Sequence, residues 1–154
     1  MKEYTVRKNI NRGYMKLDVW QLAMQLYKLV WQIVKDLKID FKLRAQIIDA
    51  AQSVSSNIAE GYSRRSINEY IQHLYIALGS LSETLTRIIG LKETNQITDE
   101  QFERIDILHY EVENKLIRLI ESLEKKKNDG TWINRISEEF TEYTSNEFSA
   151  GEKK

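Results

Sequence analysis

The stretch SVSSNIAEGYSRRS, residues 53–66, carries the most information about the fold. In and just before it, apolar and small residues recur every three or four positions, which places them on one face of a helix. A second face repeats polar residues at the same spacing. So many small side chains predict a helix that another helix approaches closely. The first face comprises Ile47, Ile48, Ala51, Val54, Ser55, Ile58 and Tyr62, and the second comprises Ser53, Asn57, Glu60 and Arg64.

The composition favours a single helical domain. The chain has 154 residues, no proline and six glycines, which favours helices throughout one domain. It contains no cysteine, so disulfides, thiolate metal sites and cysteine nucleophiles are excluded. The first residues lack a signal-peptide pattern and no apolar run reaches the length of a bilayer. We therefore expect a soluble, cytoplasmic protein that does not bind membranes.

Charge is distributed unevenly along the chain, although the net charge is zero. Residues 1–65 hold 12 basic and 6 acidic side chains, whereas residues 66–154 hold 11 and 17. Such a chain offers a basic surface to an anionic partner, pairs its own two ends, or carries solvated charges without a partner. The candidate nucleic-acid contacts are Lys8, Arg12 and Lys16 ahead of the first helix, and Arg64 and Arg65 at a helix junction beside the ring of Tyr62.

The first helix is predicted to begin at Asp18, whose carboxylate would accept amide hydrogens of the first turn. It carries two adjacent apolar stripes where an ordinary amphipathic helix has one. Either another subunit covers the second stripe, or the helix lies deep within a single bundle. The core stripe comprises Val19, Leu22, Leu26, Leu29 or Val30, Ile33 and Leu37, and the second stripe contains the candidate oligomer contacts Trp20, Met24, Tyr27 and Trp31.

Capping residues and glycines predict where three further helices begin and end. The second is expected to span roughly residues 43–62, with Gly61 and the polar residues after it as its C-terminal stop. Ser66 with Glu69, and Thr98 with Gln101, have the spacing of capping boxes that open the third and fourth helices. The third helix keeps a seven-residue apolar repeat, typical of near-parallel packing, and the pair Gly79-Ser80 within it indicates that another helix approaches closely.

These elements predict an all-α, antiparallel up-down four-helix bundle over residues 17–127. A basic arm over residues 1–16 precedes it. Residues 128–154 form an acidic, aromatic tail, which favours a short helix docked on the bundle or on a neighbour.

Polar residues on the two central helices are predicted to set register. A buried or half-buried Asn or Glu can fix helix register and subunit geometry at some cost in stability. We expect one polar cluster across these helices, formed by Ser53, Asn57, Glu60, Ser80 and Glu83.

Catalysis finds little support in the sequence. His73 and His109 both lie within helical heptads, and a di-metal site would need a second acid-to-histidine motif besides the one formed by Asp106 and His109. The chain has no glycine-rich phosphate loop, and its serines near position 55 have no histidine nearby in sequence. We therefore expect no catalytic activity, no metal, no cofactor and no small-molecule substrate.

Two motifs resemble a bacterial family of four-helix bundle proteins, the S23 or 23S rRNA intervening-sequence family. The first joins LDVWQLA, residues 17–23, to the specific core NIAEG, residues 57–61, and the second is EYIQHLYIALGSLSE, residues 69–83. The similarity spans about residues 14–125. The chain departs from the family at His73, where a bulky apolar residue is usual, and at Leu78, where an arginine is common. The second departure removes a positive charge and weakens the inference of RNA binding at that position.

The resemblance implies a ring-like homopentamer. Some family members are encoded within insertions in large ribosomal RNA genes. A more distant group serves as accessory subunits of diversity-generating retroelements, binding a reverse transcriptase and nucleic acid. The resemblance thus favours a non-catalytic homo-oligomer that associates with structured RNA or a ribonucleoprotein. The alternative is a protein-interaction scaffold, for example an accessory subunit of such a reverse transcriptase.

Overall fold

The computed structural model describes residues 2–6 and 13–132, and within these ranges it contains helices and no strand. The four long helices that the sequence predicts are present. They are preceded by a short 3-10 helix, and the elements in chain order are the 3-10 helix Gly13–Lys16, α1 Asp18–Val34, α2 Phe41–Tyr62, α3 Ile67–Glu93 and α4 Asp99–Asp129. No helix in this part of the chain is both long enough and apolar enough to cross a membrane.

Each long helix packs against two others, α1 and α3 both contacting α2 and α4. The predicted apolar stripes supply the shared core, in which many side chains are completely buried. Burying each large aliphatic side chain contributes about 1.5–3 kcal/mol, so this core is the main source of stability. The largest fully buried side chains are Leu26, Val30, Val34, Ile47, Val54, Ile58, Leu74, Leu81, Ile88, Leu91, Ile105 and Leu116.

α1 begins at Asp18, as predicted, but Asp18 is not its cap. Leu17 occupies the N-cap position without a side-chain hydrogen bond. The Asp18 carboxylate instead lies 3.7 Å from Nζ of Lys115 on α4. At the other end Arg44 of α2 donates hydrogen bonds to the carbonyls of Val34 and Leu37. A guanidinium from a neighbouring helix thus satisfies carbonyls at the C-terminus of α1.

Side-chain caps begin α2 and α4 but not α3. The Asp40 carboxylate accepts hydrogen bonds from the amides of Lys42 and Leu43, so α2 begins before the predicted start at residue 43. Thr98 and Gln101 form the predicted capping box of α4. The capping box predicted at Ser66 is wrong, because its hydroxyl makes no capping hydrogen bond. Gly130 ends α4 in the left-handed conformation, with φ of 66°, which glycine adopts more readily than other residues.

The two glycines singled out by the sequence have other roles than predicted. α2 ends at Tyr62, as predicted, but Gly61 lies inside its last turn and is not the residue that ends it. A Cβ at Gly61 would lie 2.8 Å from Cβ of His73 and 3.1 Å from the carbonyl oxygen of Tyr70, so this glycine permits α3 to cross close to α2. A Cβ at Gly79 would meet nothing within 4 Å, so the close approach predicted for the pair Gly79-Ser80 occurs at Ser80, whose hydroxyl is 2.9 Å from that of Ser53.

Candidate functional site

A line of polar contacts joins α2 to α3 and is called here the polar seam. It comprises Gln46, Ser53, Asn57 and Glu60 on α2, and His73, Ser80, Glu83 and Arg87 on α3. Contacts pair Gln46 with Arg87, Ser53 with Ser80, and Asn57 with His73. Residue numbers therefore rise along α2 as they fall along α3.

The centre of the seam is a chain of hydrogen bonds between small side chains. The hydroxyls of Ser53 and Ser80 are 2.9 Å apart. The amide of Asn57 donates to the carbonyl and the hydroxyl of Ser53, at 2.9 and 3.0 Å. Its oxygen Oδ1 lies 3.2 Å from Nδ1 of His73. Because an amide oxygen only accepts, this contact assigns a proton to Nδ1 of His73.

The ends of the seam contain two separate ion pairs. Glu60 pairs with Arg64, and its Oε1 is 3.9 Å from Nε2 of His73. Glu83 instead accepts two hydrogen bonds from Arg87, at 2.9 and 3.0 Å, and Arg87 donates to Gln46 across the helix pair. The five predicted register residues therefore do not form one cluster. His73 and Arg87 were not predicted to join these residues, although they lie on the same face of α3 as Ser80 because they are seven residues to either side of it.

The basic corner, defined as Arg64 and Arg65, lies between α2 and α3. Both arginines are exposed. Arg64 shares its carboxylate partner with the seam, while Arg65 makes no ion pair within the described residues. The first turn of α3 follows directly, without a side-chain cap. Amide hydrogens of an uncapped first turn and two guanidinium groups all favour an anion.

Lys16 lies at the same end of the molecule as the basic corner. Lys16 is exposed at the end of the 3-10 helix. Two residues earlier, Tyr14 packs edge-on against Tyr62 at the end of α2, with ring centroids 6.5 Å apart. Lys8 and Arg12 lie outside the described residues.

Aromatic rings form a continuous cluster at this end. Tyr4 and Tyr14 pack on Trp20, with centroids 4.9 and 5.3 Å away. Tyr62, half-buried, packs edge-on against Tyr70 at 6.0 Å, and the ring of Trp132 lies 6.1 Å from that of Tyr70. Burial raises the pKa of Tyr4 above its ordinary value. A base stacking on Tyr62 would replace some of these contacts. The sequence did not reveal the cluster because its six members come from six separate segments of the chain.

Comparison with known proteins identifies the family. The model of the 23S rRNA-intervening sequence protein family matches residues 15–118. The chain belongs to this family. A crystal structure from Bacteroides thetaiotaomicron, of a protein with unknown function from the S23 ribosomal protein family, is similar with a TM-score of 0.63 and 28% identity. The similarity covers 67% of this chain and 95% of that one. No curated protein matches the sequence.

The candidate oligomer contacts of this family member differ in exposure. Trp20 is only 7% exposed and belongs to the core of its own chain. Met24 and Tyr27 are half-buried and line an open groove of about 220 Å³ between α1 and α2, opposite Ser55, Ser56 and Ala59. Trp31 is 46% exposed, with its ring 6.5 Å from that of Tyr27.

The two histidines take part in helix packing. His109 is 3% exposed, and its Nε2 lies 2.9 Å from the carbonyl oxygen of Leu81 on α3, so this nitrogen carries the proton. His73 belongs to the polar seam. In residues 2–6 and 13–132 no group of three His, Asp or Glu side chains is placed to hold a metal ion.

Proposed function

We propose that this family member is a non-catalytic, cytoplasmic protein that associates with structured RNA or a ribonucleoprotein through its basic corner. The observation that carries the proposal is the exposed pair Arg64-Arg65 at the uncapped start of α3. Phosphate groups are the ligands that suit this combination of guanidinium and backbone N–H donors. The family description supports an RNA context.

We further propose that antiparallel up-down bundles assemble into a homopentameric ring. Support comes from the resemblance to the family and from the open groove beside Met24 and Tyr27, next to the exposed ring of Trp31. A ring would present five copies of the basic corner, and multivalency raises the overall affinity of a patch that is weak alone. Light-scattering mass in solution tests the assembly. A monomer at micromolar concentration would contradict it.

RNA binding can be tested with a labelled RNA hairpin and a matched pair of charge variants. Arg64→Gln with Arg65→Gln removes the basic corner, while Arg104→Gln with Arg118→Gln removes two exposed arginines from α4. We expect the first variant to bind about tenfold or more weakly and to have a shallower dependence of affinity on salt. We expect the control to bind like the natural chain.

Two results would contradict the RNA proposal. One is the absence of binding by the natural chain at low salt, and the other is an equal loss of affinity in both variants. The second result would indicate attraction to net charge alone.

A protein-interaction scaffold, such as an accessory subunit of a reverse transcriptase, is the second candidate. The exposed rings of Trp31 and Phe41 favour it, the latter being 78% exposed at the start of α2, because aromatic side chains dominate many protein interfaces. Co-purification of one stoichiometric protein that survives nuclease treatment and is lost in Trp31→Ala would favour this function over RNA binding.

A further inference from the structure

Glu60 is shared between the basic corner and the polar seam. Its Oε1 accepts a hydrogen bond from Nη2 of Arg64 at 2.5 Å, and the same oxygen lies 3.9 Å from Nε2 of His73. The side chains of Glu60 and Arg64 are 51% and 43% exposed, whereas that of His73 is 17% exposed. One carboxylate thus contacts both an arginine that faces solvent and a histidine that is held between two helices.

The neighbours of His73 determine which of its nitrogens faces Glu60. The amide nitrogen of Asn57 donates to the carbonyl oxygen of Ser53, so the amide oxygen of Asn57 is the atom that faces Nδ1 of His73. Nδ1 therefore carries the proton of the neutral ring, and Nε2 has only a lone pair. In this state Nε2 opposes the Glu60 carboxylate without a hydrogen between them. A proton on Nε2 would convert this contact into an ion pair.

Few other titratable groups lie near the His73 ring. On α2 they are Glu60 and, through it, Arg64. On α3, Glu69 and Tyr70 lie one turn before His73. Within residues 2–6 and 13–132 no carboxylate other than that of Glu60 forms an ion pair with the ring. Glu60 is therefore the group that responds most directly to a charge on His73.

The charges at this helix junction cancel while His73 is neutral. From residue 60 to residue 73 the chain contains two arginines and two glutamates, so this stretch has no net charge. Protonation of His73 would make the stretch positive and would neutralise the carboxylate that competes with a phosphate for Arg64. Both changes favour an anion. Histidine is the side chain that ordinarily changes its charge between about pH 5 and 8.

We propose that protonation of His73 switches the basic corner to its anion-binding state by drawing the Glu60 carboxylate away from Arg64. This inference rests on the proposed binding of RNA phosphates at the corner and adds the regulation of that site. A movement of about 1 Å brings the carboxylate within hydrogen-bond distance of Nε2. The exposed glutamate makes this movement while Asn57 holds the ring in place.

The guanidinium of Arg64, once released, is available to a phosphate beside Arg65. Because coupling between two ligands is reciprocal, bound RNA in turn favours proton uptake by His73.

The pH dependence of RNA affinity tests the switch. The probe is a labelled hairpin without a terminal phosphate, because phosphate monoesters titrate near pH 6. At constant ionic strength we expect the natural chain to bind about three- to tenfold more tightly at about pH 6 than at about pH 8, the effect of one added charge a few ångströms from the phosphate. His73→Gln should remove most of this difference. The matched control His109→Gln replaces the other histidine of the chain and should keep the difference.

A second pair of variants tests the part played by the carboxylate. In Glu60→Gln a neutral amide holds Arg64 only weakly, so we expect RNA affinity at about pH 8 to rise about three- to tenfold, with little further gain at about pH 6. Glu69→Gln removes the other glutamate of the junction and should keep the pH dependence. Equal loss of the pH dependence in both variants would overturn the proposal, because it would indicate net charge alone.

NMR without RNA separates this inference from the proposed function. We expect the side-chain Nε–H signal of Arg64 to shift between about pH 8 and 6 together with the ring signals of His73, and to stay constant in His73→Gln. If this coupled shift occurs but RNA binds at neither pH, RNA binding is refuted and the coupling of His73 to Arg64 stands. Equal RNA affinity at both pH values, a pH dependence that survives His73→Gln, or an Arg64 signal that does not respond to pH would overturn the switch.

Discussion

Adding one methyl group at Gly61 should separate close packing from helix termination. Gly61 lies inside α2 with an ordinary helical backbone and is buried. Alanine can adopt this conformation, and its helix propensity would stabilise α2 by about 1 kcal/mol. The new Cβ, however, would lie 2.8 Å from Cβ of His73, 3.0 Å from Cδ2 of Tyr70 and 3.1 Å from the Tyr70 carbonyl oxygen.

The free-energy cost of the steric overlap should exceed the gain from the higher helix propensity of alanine. Two of the three contacted atoms belong to or adjoin the α3 backbone, so no flexible side chain can move aside. Overpacking of this kind costs about 1–3 kcal/mol, and α3 must also shift where Asn57 contacts His73. We expect Gly61→Ala to lower the free energy of unfolding by about 1–2 kcal/mol in total.

Gly90→Ala is the matched control. Gly90 lies in α3, is exposed, and has nothing within 4 Å of a Cβ, so the same change should raise the free energy of unfolding by about 0.5–1 kcal/mol. Urea unfolding followed by circular dichroism measures both variants, at equal protein concentration because assembly would contribute to stability. A Gly61→Ala variant as stable as the natural chain would refute the close crossing of α2 and α3.

Two further predictions concern helix capping and the polar seam. Thr98→Ala should lower the free energy of unfolding by about 1 kcal/mol because it removes the capping box of α4. Ser66→Ala should change the free energy of unfolding by less than about 0.5 kcal/mol. Equal losses of stability in urea unfolding would show that Ser66 caps α3. Asn57→Leu should lower the free energy of unfolding by about 1–3 kcal/mol, since Ser53 and His73 lose a hydrogen-bond partner. Glu60→Leu should lower it by less than about 1 kcal/mol, because the ion pairs of Glu60 are exposed. Unchanged thermal melting and unchanged solution mass in Asn57→Leu would contradict a role of the seam in register.

Much of the fold follows from local sequence patterns. Periodic apolar residues predicted four helices, and the Thr98 box and Gly130 marked real helix ends, because capping and the αL conformation depend on a few adjacent residues. The same local rules failed at Ser66, where the hydroxyl makes no cap although the spacing is correct. They also failed at Asp18, whose carboxylate lies near Lys115 of a helix almost 100 residues away.

The candidate site was predictable only in part. The small and polar residues of SVSSNIAEG indicated a close, hydrogen-bonded helix pair, and Ser53 does contact Ser80. Which residues complete the seam depends on the offset between α2 and α3. That offset joins Asn57 to His73 and Gln46 to Arg87, and it leaves Glu83 apart from Glu60. No spacing within a single helix encodes such an offset.

By itself, the sequence determined the helical class, the helix count and the membership of the family, since each rests on periodicity or on contiguous motifs. Only the tertiary structure decided what Gly61 does. In the sequence, a glycine near a helix end is a signal for helix termination. The atoms that exclude a side chain at Gly61, however, belong to His73 and Tyr70 of another helix. The same holds for the aromatic cluster from Tyr4 to Trp132, because contact between distant segments is a property of packing.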